Sequence, residues 1–259
     1  MRSPWQVTHS VWHALFLREA ISRTMADRMG WFWMIAEPIA FVVIMVGIRS
    51  FIRGERFIIN AEFVPWLIIG LMGFFLVREG MLRGMGAIES NSSLFAYRQV
   101  LPIDPVVVRC FLEGMLRSVV MLFFIIGGLM LGFDMQPDNA LMALFMWISL
   151  WCLGLGLGLV TSVSGTLIPE TAKVIRMLSL PLLLLSGVIF PIHKLPHWLL
   201  EYLMLNPIPH GLELLRQAFF ERYHTIPGTS LLYFWLFTLS LIALGLLLQL
   251  RYANKLKAN

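Results

Sequence analysis

Six long apolar stretches, separated by shorter polar segments, are the strongest constraint that this sequence places on its fold. Each is at least as long as the roughly 20 residues that a helix needs to cross a bilayer. They cover residues 31–51, 63–83, 105–133, 139–163, 171–190 and 228–250. Charged residues are only 14% of the chain and the mean hydropathy is +0.78, whereas soluble domains carry about 25% charged residues. The pattern predicts an all-α, six-span polytopic membrane protein, with one transmembrane domain over residues 30–251.

The two ends of the chain indicate how it is oriented. Within residues 1–29, Val7, Val11 and Leu15 recur at near-helical spacing before a run of charges, which predicts a cytoplasmic interfacial helix rather than a signal peptide. Most of the 20 Lys and Arg residues lie on one side if the N-terminus is cytoplasmic, as the positive-inside rule requires. Both termini, including a tail at 252–259, are therefore predicted to be cytoplasmic. The net charge of +5 reflects this bias and does not indicate nucleic acid.

A polar insert at residues 86–98 separates the second stretch from the third. Asn91 or Ser92 is suited to cap a short amphipathic helix, and Leu94, Phe95 and Tyr97 would expose large apolar groups beside it. Exposed apolar groups of this kind mark docking surfaces, so the insert is predicted to bind a partner protein. The alternative interpretation is an ordinary solvated loop.

Several charged side chains fall inside the predicted spans, where exposure to lipid would be costly. They include Glu37, Arg109, Glu113 and Arg117. One interpretation is a lining for a polar, anionic cargo, with Glu37, Trp66 and Arg117 as candidate path residues. The other is mutual ion pairing, because Glu113 lies four residues from both Arg109 and Arg117 on one helix face. Pairing is the preferred interpretation for Glu113, and both remain open for Glu37 and Arg117.

The segment 191–227 is apolar but interrupted by five prolines. It predicts two short helices, at 197–204 and 210–223, each too short to span. Irregular backbone at membrane depth must be covered by protein or line a watery cavity, so the segment is predicted to be a re-entrant outer hairpin. Glu213 and Arg216 are three residues apart and are predicted to pair. If pairing alone matters, exchanging the two charges should restore part of the activity that a single substitution removes.

No catalytic or nucleotide-binding signature is present. The dipeptide Gly-Lys does not occur, so the phosphate-binding motif G-x-x-x-x-G-K-[ST] is absent. Gly154 and Gly158 are predicted to allow close helix packing rather than to bind phosphate.

Two histidine pairs have a spacing that a helical metal site could use. They are His9 with His13 and His193 with His197. Neither pair has cysteines or clustered carboxylates nearby, and Pro196 interrupts the second, so no metal site is predicted.

Short motifs along nearly the whole chain are typical of one family. They are Leu17-Arg18-Glu19, Gly30-Trp31-Phe32-Trp33, Glu37-Pro38, Gly86-Ala87-Ile88-Glu89-Ser90-Asn91, Leu94-Phe95-Ala96-Tyr97-Arg98, Pro102-Ile103-Asp104, Phe190-Pro191, Leu195-Pro196, Asn206-Pro207, and Glu213 with Arg216. In these motifs the chain resembles the membrane subunit of type-2 ABC exporters. Within that family it is most similar to the capsular-polysaccharide export permeases of Gram-negative bacteria.

The resemblance implies a homodimeric permease in the bacterial inner membrane, paired with two copies of an ATPase subunit. The ATPase would bind ATP and Mg, and this chain would hold no cofactor and no catalytic residue. The insert at 86–98 would be the coupling helix that docks on the ATPase. Its candidate docking residues are Glu89, Asn91, Leu94, Phe95 and Tyr97.

The resemblance also implies a gate and a cargo. The segment 191–227 would be the gate hairpin, with Asn206, Pro207, Glu213 and Arg216 as its candidate residues. The cargo would be an acidic polysaccharide or glycolipid, passed to a periplasmic adaptor and an outer-membrane exporter. Arg49, Arg53 and Arg56 make the first outer loop unusually basic, and the resemblance gives that loop no role.

Three alternatives stand beside this interpretation. The first is a permease of the same family for a different lipid-linked glycan. The second is an integral-membrane glycolipid-processing enzyme, which would need carboxylates or histidines clustered at one membrane face. The third is a secondary transporter, which should contain two related halves, and no internal repeat is evident.

Overall fold

The structure, a computed structural model, describes residues 4–25, 29–52, 57–58, 61–191 and 196–258. These residues form ten α-helices: α1 (Pro4–Met25), α2 (Gly30–Ile52), α3 (Phe63–Met85), α4 (Ile103–Met130), α5 (Ala140–Leu167), α6 (Pro169–Leu185), α7 (His197–Leu203), α8 (Pro207–Phe219), α9 (Leu231–Arg251) and α10 (Ala253–Ala258). A 3₁₀ helix, Glu89–Ala96, lies between α3 and α4 and is called the Glu89 helix below. Two short antiparallel strands, β1 (Phe57–Ile58) and β2 (Ala61–Glu62), are the only sheet in this part of the chain.

Four of the described helices are long and apolar enough to cross a membrane, namely α3, α4, α5 and α9. The other two predicted spans also form helices. However, the apolar part of α2 is the shorter stretch Ile35–Ile48, and the 17-residue α6 carries Glu170, Lys173 and Arg176 in its first half. The largely helical membrane architecture is therefore confirmed, and the crossings by α2 and α6 stay predictions. Pro38 lies inside a continuous α2 and does not break it.

Helix α3 lies at the centre of the bundle and is buried along most of its length. It packs closely on α5 through glycines: a Cβ on Gly158 would lie 2.7 Å from the carbonyl oxygen of Gly80, and one on Gly80 would lie 3.0 Å from the carbonyl carbon of Gly154. A residue larger than glycine would not fit at these positions unless the backbone of one helix moved. The predicted packing role of Gly154 and Gly158 is confirmed, with Gly80 and Gly84 of α3 as the facing glycines.

Two hydrophobic clusters divide the bundle. The larger surrounds α3 and includes Trp66 and Phe74, Leu150 of α5, Leu212 of α8 and Phe234 of α9. The smaller joins the Glu89 helix to the start of α4, the end of α5 and α10 through Phe95, Val106, Leu159 and Leu256. The Glu89 helix and α10 therefore lie together at one end of the bundle, which is also where α1 contacts α4.

The segment after α6 forms two short helices, as predicted, but α8 begins earlier than expected. Pro207 occupies the first position of α8, where a missing N–H costs nothing. The Asn206 side chain caps the helix by accepting a hydrogen bond from the Ile208 N–H at 3.1 Å. The prediction that this helix starts at His210 and runs to Tyr223 was wrong, because the cap precedes the two prolines and the helix ends at Phe219.

Candidate functional site

The Glu89 helix presents one buried face and one exposed face. Phe95 is buried in the smaller cluster, Leu94 is partly buried, and Tyr97 is 66% exposed. The prediction that Phe95 exposes its ring was wrong, because the tight 3₁₀ turn directs it against Val106 and its neighbours. Glu89, Ser92 and Tyr97 remain exposed and form the outward surface of this helix.

The Asn91 side chain bonds to α1 and does not cap the Glu89 helix. The helix begins at Glu89, and Ile88 precedes it with no side-chain capping bond. The buried Asn91 amide instead donates to the Ala87 carbonyl oxygen at 2.7 Å and accepts a hydrogen bond from Arg18 of α1. The capping prediction for Asn91 was therefore wrong, and its side chain joins α1 to the Glu89 helix.

Arg109 of α4 contacts both α1 and the Glu89 helix, and these contacts together with the Asn91–Arg18 bond form a junction of the three elements. Its guanidinium lies 2.7 Å from Glu19 of α1 and donates to the Ser90 hydroxyl at 2.8 Å. Helix α1 is held further by the Trp12 indole N–H, which donates to Asp104 at 2.8 Å. These contacts fix α1, the Glu89 helix and α4 to one another by polar bonds.

A cavity of about 360 Å³ lies beside the Glu89 helix. Glu89 and Ser92 line one side of it, and Lys173 and Arg176 of α6 line the other. The exposed surface at this end of the bundle is thus polar and carries charges of both signs.

Charged side chains from α1, α2, α3 and α4 form a connected set, which we call the arginine network. It consists of Arg23, Glu37, Arg78, Glu79, Arg83, Glu113 and Arg117. Glu113 contacts Arg23 of α1 at 2.5 Å and Arg83 at 3.6 Å. The prediction that Glu113 pairs with Arg109 and Arg117 was wrong, because arginines from neighbouring helices approach Glu113 instead.

The candidate path residues differ in exposure. The Glu37 side chain is 54% exposed and lies 3.8 Å from Arg78. Arg117 is buried, lies 3.7 Å from Glu79, and faces the Phe75 ring at 5.4 Å. Trp66 is fully buried, so in this conformation it does not line an open path.

Trp66 belongs instead to a buried cluster, with Glu213, Arg216 and Tyr223, which we call the outer cluster. The Arg216 guanidinium contacts Glu213 at 3.0 Å, as predicted, and lies 3.6 Å from the Trp66 ring centroid. Tyr223 lies 3.0 Å from Glu213 and accepts a hydrogen bond from the Trp66 indole N–H at 3.1 Å. Burial raises the pKa of the Tyr223 phenol, so the hydroxyl keeps its proton and donates it to Glu213.

Arg216 also holds the chain that follows α6. It donates to the carbonyl oxygens of Gly187 and Val188 at 3.0 and 3.3 Å. Gly187 has a φ of 67°, a conformation that glycine adopts readily. Both side chains of the Glu213–Arg216 pair are buried within the bundle.

Asn206 and His210 bond to residues that precede and follow the hairpin, Ser186 and Ser230. Besides capping α8, Asn206 donates to the Ser186 hydroxyl at 3.3 Å. The Ser230 N–H donates to Nδ1 of His210 at 3.0 Å, so Nε2 carries the proton and donates to the Met204 carbonyl oxygen at 2.8 Å. Burial lowers the pKa of His210, which keeps the ring neutral in this arrangement. Pro207 is buried beside these contacts.

The comparisons with known proteins agree on one family. A sequence profile described as ABC-2 type transporter matches residues 10–220. This chain is a member of the ABC-2 type transporter family. It is 36% identical over 247 residues, 95% of each chain, to a protein of Escherichia coli named polysialic acid transport protein KpsM.

Two further relatives of this ABC-2 transporter come from other bacteria. It is 28% identical over 207 residues to the capsule polysaccharide export inner-membrane protein CtrC of Neisseria meningitidis serogroup B, covering 80% of this chain and 78% of the relative. It is 27% identical over 208 residues to the capsule polysaccharide export inner-membrane protein BexB of Haemophilus influenzae, with the same coverage.

Two residues that organise these sites were not found from the ABC-2 transporter's sequence. Glu79 is buried and contacts three arginines, Arg78, Arg83 and Arg117. Its spacing of four residues from Arg83 was the available signal. Tyr223 carried no signal, because its partner Trp66 is distant in sequence.

No group of three or more potential metal ligands is found within the described ranges. His193, Arg53, Arg56 and Leu195 lie outside those ranges, so the second histidine pair and the basic loop stay predictions.

Proposed function

We propose that this chain is the membrane subunit of an ATP-driven exporter that carries capsular polysaccharide across the bacterial inner membrane. The observation that carries the proposal is the 36% identity over 95% of both chains to a protein named for polysialic acid transport. The family match over residues 10–220 and the two relatives named for capsule export support the same function.

In this proposal the chain crosses the membrane six times, through α2, α3, α4, α5, α6 and α9. Helix α1 lies in the cytoplasmic interface, both termini are cytoplasmic, and α7 with α8 forms the re-entrant outer hairpin. The positive-inside bias supports this orientation. It places the Glu89 helix and the outer cluster on opposite sides of the membrane.

The energy source is a separate ATPase, present in two copies and binding ATP and Mg, because this sequence has no phosphate-binding loop. The Glu89 helix is the proposed docking element, with Glu89 and Tyr97 on its exposed surface and Leu94 at the edge. Asn91 and Phe95 support that surface from inside. The junction through Arg109 and Arg18 would pass a movement of this helix to α4 and α1.

In this proposal the outer cluster holds the gate hairpin in place. Glu213 and Arg216 hold α8 against α3 through Trp66 and hold the segment after α6 through its carbonyl groups. Asn206 and Pro207 define where the second gate helix begins. The permease would act as a homodimer, with a periplasmic adaptor and an outer-membrane exporter receiving a polysaccharide that carries a lipid terminus.

The test is to delete the gene in its host and to follow the polysaccharide. The proposal predicts that polymer accumulates in the cytoplasm, that none reaches the surface, and that the intact gene restores export. The absence of polymer from every fraction would instead indicate a role in synthesis, as a membrane glycolipid-processing enzyme would have. Unchanged capsule with loss of another lipid-linked glycan would indicate a different cargo.

A further inference from the structure

The cavity beside the Glu89 helix is shared by three segments of the chain, and we call it the Glu89 recess. Its volume is about 360 Å³. The Glu89 helix, the end of α5 and the start of α6 each contribute polar or small residues to its lining, namely Glu89 and Ser92, Gly165 and Thr166, and Lys173 and Arg176. The proposed docking element therefore provides only part of this surface, and the α5–α6 segment provides the rest.

The bundle holds the walls of the recess in place. A Cβ on Gly165 would lie 3.0 Å from Cγ of Met85, the last residue of α3, so the end of α5 passes close to the polar insert. Phe95 of the Glu89 helix packs in the same hydrophobic cluster as Val163 of α5. The recess is thus formed before a partner binds, which reduces the entropy that binding must overcome.

The charged side chains that line the recess are available to a partner. Lys173 and Arg176 lie three residues apart on α6, and both are exposed. Within the described ranges, neither side chain forms an ion pair with Glu89 across the recess or with Glu170 in the first turn of α6. Glu170 does not line the recess. Its lining therefore carries two positive charges and one negative charge.

We infer that the Glu89 recess receives an acidic side chain of the partner ATPase, which Lys173 and Arg176 bind. The inference rests on the proposed function, in which the ATPase docks at this end of the bundle, and it adds the start of α6 to the docking surface. Two cations three residues apart on one helix can approach the same carboxylate. Glu89 on the opposite wall favours a positive or N–H group beside that acid, and such complementarity fixes the register of two proteins.

An acidic polysaccharide is the competing occupant, because lysine and arginine would attract it as well. The Glu89 carboxylate lines the same recess and would repel a polymer that carries only negative charge. Ile168, at the turn between α5 and α6, is 53% exposed. An apolar side chain beside charges of both signs suits a protein surface better than a charged polymer.

The first experiment measures docking directly. The full chain is purified in detergent and titrated with the ATPase that co-purifies with it, and the Kd is measured by biolayer interferometry. We expect the double variant Lys173→Gln with Arg176→Gln to bind about tenfold more weakly. Its affinity should also fall less steeply with added salt than that of the wild type. Both side chains are exposed, so an unchanged thermal unfolding midpoint should accompany the weaker binding.

The matched control removes two positive charges from α10, through Lys255→Gln with Lys257→Gln. Helix α10 packs in the same cluster as the Glu89 helix, through Leu256, but these two lysines do not line the recess. The control should bind the ATPase with wild-type affinity. An equal loss in the control would indicate a general attraction between oppositely charged surfaces and would overturn the inference.

A carbodiimide cross-link identifies the acidic partner, because this reagent joins an amine to a carboxylate without a spacer. We expect it to join Lys173 to one aspartate or glutamate of the ATPase, located by mass spectrometry of the linked peptides. Replacing that residue by its amide should weaken docking as much as Lys173→Gln does, and combining the two changes should cause no further loss. Cross-linking of Lys173 only within its own chain would contradict the inference.

Unchanged ATPase affinity in the Lys173→Gln, Arg176→Gln variant would also overturn the inference. If that variant bound the ATPase normally but no longer exported polysaccharide, the recess would belong to the cargo. Either result leaves the proposed function standing, because the wild type still docks. Failure of the wild type to bind any ATPase would instead contradict the proposed function itself.

Discussion

The Arg216 guanidinium lies 3.6 Å from the centroid of the Trp66 ring and is covered on all sides by the bundle. This contact joins α8 to α3, two helices that are far apart in sequence. Gly70, one turn after Trp66, allows it, because a Cβ at position 70 would lie 2.1 Å from Nη2 of Arg216.

Gly70→Ala should therefore displace the Arg216 guanidinium. We expect a loss of about 1–3 kcal/mol, as in other overpacked cores, with a lower thermal unfolding midpoint and reduced export. Gly127→Ala is the matched control, because it is also helical and a Cβ there meets nothing within 4 Å. Equal thermal midpoints for the two variants would contradict the assigned position of the Arg216 side chain.

Exchanging the charges of the outer cluster should not restore function. A glutamate at position 216 would face the Gly187 and Val188 carbonyl oxygens, which accept hydrogen bonds and cannot donate them. The expectation from sequence, that Glu213→Arg with Arg216→Glu recovers part of the loss, is revised for this reason. Breaking a buried pair costs about 3–5 kcal/mol.

Surface polysaccharide measures the outcome of the exchange. We expect the double variant to export no more than Arg216→Ala does, while Gln217→Ala, an exposed neighbour, exports normally. Substantial recovery in the double variant would show that pairing alone determines the function of these residues.

Substitutions on the exposed surface of the Glu89 helix should have a different effect from substitutions on its buried face. Tyr97→Ser leaves the smaller cluster intact, so the protein should remain in the membrane. Docking of the ATPase should weaken roughly thirtyfold if Tyr97 is an anchor worth about 2 kcal/mol. Tyr202→Ser removes a comparably exposed tyrosine, 70% against 66%, at the opposite end and should have no effect.

Co-purified ATPase, normalised to the membrane level of the permease, is the measurement. Phe95→Ser should instead lower the membrane level itself, because truncating a buried phenylalanine costs about 3–5 kcal/mol. Normal ATPase recovery with Tyr97→Ser would remove Tyr97 from the docking surface.

Arg109 should determine how firmly α1 and the Glu89 helix are held. Arg109→Ala removes the contacts to Glu19 and Ser90 together, so backbone amides in both elements should exchange with deuterium faster. Arg98→Ala, at an exposed position just after the same helix, is the control. Unchanged protection in both elements would mean that Trp12 and Arg18 suffice to hold them.

The sequence predicted most helices well, because long apolar runs and small-residue spacing are local properties. Gly154 and Gly158 were identified from four-residue spacing alone, and the Glu213–Arg216 pair from a spacing of three. Partners on other helices could not be found in this way. Glu113 bonds to Arg23 and not to the arginines four residues away, because α1 approaches α4 where no local pattern reports it.

For the Glu89 helix as well, the sequence predicted the local structure but not the contacts with distant segments. Its composition predicted a short helix, but not which face packs inward. Phe95 is buried because the 3₁₀ turn, the end of α5 and α10 meet there, and Leu256, at the far end of the chain, is part of that contact. Only the fold brings those segments together.

Reconstitution tests the central claim most directly. The chain is placed in vesicles with and without its ATPase, and both ATP hydrolysis and polysaccharide uptake into inside-out vesicles are measured. We predict that the chain alone hydrolyses no ATP, and that the complex takes up acidic polysaccharide only when ATP is present. ATP hydrolysis by the chain alone, or uptake that needs neither the ATPase nor ATP, would contradict the account.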